Sequence, residues 1–131
     1  MKEPLNASLN EIQEWAYDKA SLIPTQDWDL AITDLESAPL LLKLSIDPKV
    51  LVEKRLFFLA CLYLLVGETI FTGGTEHNSE GVRLFVEDSS SISDQAIQKW
   101  VSRSRELFNN PDLFEYNRWC NGELIFIFWD D

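Results

Sequence analysis

Residues 56–66, LFFLACLYLLV, form an uncharged apolar run of 11 residues between Arg55 and Glu68. The run is well short of the ~18 to 20 residues that a bilayer-crossing helix needs. It is also apolar all round, so it cannot lie on a surface with one face in water. A helix of that kind has to be covered by its neighbours. The spacing therefore predicts a central helix, opened by Asp47-Pro48, because proline's missing N–H costs nothing in the first helical turn. It runs over 49–66, with Glu53, Lys54 and Arg55 on the wet side of its first turns. Gly67 offers a C-cap, or residues 68–71 extend the helix until Gly73-Gly74 stops it.

The elements that would cover it read as amphipathic. Ser8-Leu9-Asn10-Glu11 fits a capping box opening a helix over 8–20, with Leu9, Ile12, Trp15 and Ala16 on its apolar side. Pro24 and Thr25 open a second helix, in which Trp28, Ala31, Ile32 and Leu35 follow the i, i+3, i+4, i+7 spacing of one face. Residues 40–46 are a short apolar piece, either one or two helical turns or a buried strand. Residues 72–81, TGGTEHNSEG, read as a loop. In 81–88 Val82, Leu84 and Val86 alternate as in a strand, although Phe85 interrupts the two-sided pattern. Ser93 caps a helix to about residue 108, with Ile97, Trp100, Val101, Leu107 and Phe108 on the buried stripe. Asn121-Gly122 is the preferred type I′ turn dipeptide, which predicts a hairpin with arms over 114–120 and 123–129. The expected fold class is thus α+β: one predominantly helical domain of 131 residues with a C-terminal β-hairpin and a further strand at 82–88.

Charge is unevenly placed. The chain carries 22 acidic against 11 basic residues, for a net charge of -11. Residues 1–36 hold eight acids and two bases, residues 37–105 hold eight of each, and residues 106–131 hold six acids against Arg118 alone. All of the excess belongs to the two ends. Asp27 and Asp29 fall in a first helical turn, where the helix dipole favours negative charge, so part of the enrichment has a local structural cause. A protein that grips phosphates needs a basic patch, which argues against direct nucleic-acid binding. Cys61 and Cys120 are too few for a secreted disulfide framework, and MKEPLNASLNEIQEW holds no apolar stretch of signal-peptide length. The expectation is a cytoplasmic protein that does not enter a membrane.

Catalytic apparatus is not apparent. His77 is the single histidine, and nothing in local sequence ties it to either cysteine as a nucleophile–base pair requires. Glu76, His77 and Glu80 offer metal-binding atoms, but their spacing matches no zinc motif and they lie in a polar loop. Gly73-Gly74-Thr75 lacks the lysine of a phosphate-binding loop. No enzyme, metal or cofactor is expected. Of the aromatic residues, Trp15, Trp28 and Trp100 sit on buried stripes. Tyr17, Tyr116, Trp119 and Trp129 are less committed, and aromatic anchors ringed by charge are what a protein-binding hot spot looks like. The candidate partner-binding residues are therefore Glu11, Glu14, Asp18, Asp27, Asp34, Tyr17, Tyr116 and Trp119.

In size, acidity and missing catalytic groups the chain resembles the immunity proteins of bacterial toxin systems, those of colicins, contact-dependent growth inhibition and related polymorphic toxins. The resemblance rests on no shared motif, so no family residue is carried over. It implies an inhibitor that covers the basic surface of a nuclease toxin domain. Two other classes fit the same composition: an intracellular adaptor or regulator of phage or mobile-element origin whose acidic surface solubilises it or mimics nucleic acid, and an enzyme working with carboxylates alone.

Overall fold

The computed structural model describes residues 9–18, 34–73 and 78–120. All regular structure among these residues is helical: α1 Leu9–Tyr17, α2 Ala38–Ile46, α3 Val52–Phe71, α4 Ser79–Ser89, α5 Gln95–Asn109, a 3₁₀ turn Pro111–Leu113 and the single turn α6 Tyr116–Trp119. They fall into two compact units, Met1–Leu62 and Tyr63–Asp131, and α3 contributes its first half to one and its second half to the other.

In the first unit, α1 buries Ile12, Trp15 and Ala16 and packs against α2, which buries Ala38, Leu41, Leu42 and Leu44. The apolar piece at 40–46 is thus helical. Asp34 closes the turn that leads into α2, its carboxylate accepting from Ser37 N at 2.7 Å and its carbonyl from Ala38 N. Trp15 meets Phe57 and Phe58 of α3 edge-on at 5.5 and 5.7 Å, the geometry that ring quadrupoles prefer. Asp47-Pro48 forms a turn rather than the first helical residues. Asp47 Oδ1 accepts from Lys49 N, the Asp47 carbonyl accepts from Val50 N, and α3 starts at Val52.

Among the described residues, Lys54 is the one charged side chain in this unit's core, 1% exposed. Its ammonium lies 4.5 Å from the Trp15 ring centre and donates to the carbonyls of Trp15 (2.6 Å) and Asp18 at the end of α1. Helix ends leave carbonyls without intrahelical partners and carry partial negative charge, so a buried cation there satisfies both deficits. Burial pushes the Lys54 ammonium below its ordinary pKa, with the Asp18 charge acting in the opposite direction.

In the second unit, α3 continues past Gly67 to Phe71, and Gly73 with φ of 64° follows its end. Asn78 caps α4 by accepting from Gly81 N, and Asp94 caps α5 by accepting from Ile97 N. The two helices pack together, tied by a bidentate Arg105–Glu87 pair at 2.7 and 2.8 Å. α5 buries Ile97, Trp100, Val101, Ser104 and Leu107.

The α+β expectation is overturned. Residues 82–88 are helical because Val82, Phe85, Val86 and Ser89 share an i, i+3, i+4, i+7 face, while Leu84 points outward at 55% exposure. Phe85, the residue that breaks the strand alternation, is the one that completes the helical pattern. No strand occurs among the described residues, and the first arm of the expected hairpin is the turn α6. There the Glu115 carbonyl accepts from Arg118 N and Trp119 N, and the Tyr116 carbonyl from Cys120 N. Phe114, Tyr116 and Trp119 suit a strand by propensity, so the turn is set instead by the fit of Trp119 against Tyr63 and Gly67. Ser8, the helix expected after Pro24 and the hairpin's second arm at 123–129 lie outside the described residues.

Candidate functional site

Two surfaces collect the expected binding residues, one in each unit. On α1 the side chains alternate by helical geometry: Ile12, Trp15 and Ala16 face the core and Glu11 and Glu14 are exposed, as is Asp18 just past its end. Asp34 is exposed in the turn before α2, where its carboxylate accepts from Ser37 N. Asp27 lies outside the described residues.

Tyr17, expected as a partner-binding aromatic, is half-buried and its hydroxyl donates to Asp47 Oδ2. That bond fastens the last residue of α1 to the turn that precedes α3. The bond to the Asp47 carboxylate raises the Tyr17 pKa above 10.0 and, together with the Lys49 backbone N–H, lowers that of Asp47 below its ordinary 3.8.

The second surface lies where α3 ends. Phe71, its last residue, is 63% exposed and sits 5.8 Å from the Phe114 ring and 5.5 Å from the Tyr116 ring, the latter edge-on. Tyr116 is 50% exposed and Phe114 half-buried. Local signals end or start each segment, and the packing of α6 on α3 brings the three rings together. Gly73 ends α3 just beyond Phe71, Pro111 starts the 3₁₀ turn that delivers Phe114, and the α6 turn lifts Tyr116 beside them. Asp112 and Glu115 are exposed next to the rings in sequence, and Glu115 lies 3.6 Å from Arg118 in an open i,i+3 pair.

Trp119, also expected at the interface, belongs to the core. It is 3% exposed, tilted against Tyr63 at 5.6 Å, and no ring face is left for a partner. Its neighbour Cys120 is buried, and burial, with the Glu68 charge adding to it, pushes the thiol up to about 12. Such a thiol is no nucleophile at neutral pH. Phe71 escaped the sequence reading. Its signal was an aromatic residue in the last turn before a glycine pair, beyond the end of the uniformly apolar run.

Among the described residues no group of three or more His, Cys, Asp or Glu side chains is placed to hold a metal ion. No described helix is long and apolar enough to cross a membrane. Comparison with protein-family models, with curated proteins and with solved structures finds no match for the chain.

Proposed function

We propose that this chain is a cytoplasmic protein-binding module for a basic partner, an immunity-type inhibitor that covers the nucleic-acid-binding surface of a nuclease toxin domain. The observation that carries the reading is the exposure of Glu11 and Glu14 on α1 and of Asp18 just past its end, in a chain of net charge -11. A nuclease surface is basic because it must hold phosphates. An acidic protein reaches such a surface quickly by long-range attraction and, once seated, excludes the nucleic acid.

The test is co-expression with the toxic domain encoded beside its gene. Cells are expected to survive with the intact chain, and the purified pair to associate more slowly as salt rises past ~0.15 M, where the screening length is about 8 Å. Glu11→Lys with Glu14→Lys lowers the association rate in a folded protein. A gene neighbourhood without a toxin, or association indifferent to both salt and the double reversal, overturns the proposal.

A further inference from the structure

The Phe71, Phe114 and Tyr116 rings come from three different elements and meet at 5.5 to 5.8 Å, yet Phe71 and Tyr116 leave half or more of their surface in water. Leu113 beside them is also exposed. A scattered exposed aromatic residue needs no explanation, whereas a contiguous group rimmed by charge does. The rim is acidic: Asp112 and Glu115, which flank Phe114 in sequence, are exposed. We infer that this aromatic cluster is a docking site for an arginine side chain presented by a basic protein partner. The inference rests on the proposed function and locates a second contact for the same partner.

The chemistry follows from the groups present. A guanidinium is flat and weakly hydrated, so it stacks on a ring face while its N–H groups remain free to bond carboxylates. An ammonium is compact and strongly hydrated, and gains less from an exposed ring. The chain already uses this contact internally, with the Arg83 guanidinium 5.2 Å above the Phe108 ring. No described cationic side chain lies over Phe71, Phe114 or Tyr116 in the same way. Glu115 holds Arg118 only at 3.6 Å, a distance at which an incoming arginine competes readily for the carboxylate. Charge decides against two other occupants. A second copy would set the same acidic rim against this one, and an anionic lipid surface would meet it as well.

The experiment titrates the full chain, labelled for NMR, with a hexa-arginine peptide and with its hexa-lysine counterpart at low salt. Hexa-arginine is expected to shift the ring signals of Phe71 and Tyr116 and to bind roughly threefold or more tighter than hexa-lysine. Phe71→Ser with Tyr116→Ser removes that preference while both peptides still perturb Glu11, Glu14 and Asp18. Equal affinities for the two peptides, or shifts confined to α1, overturn the docking site and leave the acidic-module reading standing. No binding of either peptide at low salt overturns both. Sedimentation that shows a dimer dissolved by the double substitution assigns the rings to a second copy and likewise overturns the site.

Discussion

Replacing Gly67 by alanine sets two known quantities against each other. In a helix interior alanine is better than glycine by about 1 kcal/mol, so at an open site the change would stabilise the protein. Gly67 is not open. A Cβ built there lies 2.7 Å from both Trp119 Cβ and Cys120 Sγ, and 3.1 Å from the Trp119 carbonyl oxygen. Non-bonded carbons rest at about 3.5 to 4.0 Å, so α6 must retreat by roughly an ångström, lifting the buried Trp119 from Tyr63. Overfilling a packed site costs about 1 to 3 kcal/mol. With two simultaneous overlaps, one of them against backbone-proximal atoms, the upper half of that range applies. Subtracting the propensity gain leaves a net loss of about 1 to 2 kcal/mol.

For a chain of 131 residues that corresponds to a melting temperature lowered by about 4 to 7 °C. The measurement is urea unfolding followed by tryptophan fluorescence and by far-ultraviolet circular dichroism. Cys120→Ala in the Gly67→Ala background removes one of the two overlaps and should recover part of the loss, giving a coupling between positions 67 and 120. A Gly67→Ala protein more stable than the parent by about 1 kcal/mol would refute the seating of α6 on α3.

Leu84→Lys should be nearly neutral and Val86→Lys should unfold the protein, since the helix turns the first outward and the second inward; equal, severe losses in the two would restore the strand. Lys54→Met leaves the Trp15 and Asp18 carbonyls without their donor and should cost about 1 to 3 kcal/mol in urea unfolding. Tyr17→Phe should remove a pH-dependent contribution. The depressed Asp47 pKa makes that contribution present above about pH 4 and lost as pH falls through the lowered value, and the raised Tyr17 pKa makes it present below pH 10 and lost as pH climbs beyond. Parallel stability–pH curves for parent and variant would contradict the bond. Cys120 should resist a thiol reagent at pH 8 in the native state and react only at the rate of unfolding.

What could be read in advance was the periodic part of the chain. The 56–66 run and the stripe from Ile97 to Leu107 are long enough for their spacing to admit one structure. Both are helices; Phe58 and residues 60–66 of the run are buried, but Leu56 at its start is 40% exposed, so the run is not covered all round as expected. The segment 81–88 fits both periods over its short length, and only the tertiary face shared by Val82, Phe85 and Val86 decides it. The turn α6 was illegible for a different reason. It is held by a long-range fit, Trp119 against Tyr63 and the bare backbone of Gly67, which leaves no mark in the local sequence. The candidate site divided along the same line. Acidic residues on α1 follow from helical spacing, whereas the engagement of Tyr17 with Asp47, the burial of Trp119 and the gathering of Phe71 with Tyr116 depend on residues distant in sequence.

The boundary between the two compact units falls at Leu62–Tyr63, in the middle of α3. Modules that evolution shuffles are usually joined by loops, where a break strands no hydrogen bonds. A break here would cut a helix of 20 residues and expose up to four carbonyls on one fragment and four N–H groups on the other. Each fragment would also keep only about half of that helix, below the length at which a helix holds together alone in water. The two halves therefore have to be inherited, and synthesised, as one piece. Insertions have an outlet in the polar stretch between α4 and α5, while the centre of α3 tolerates none.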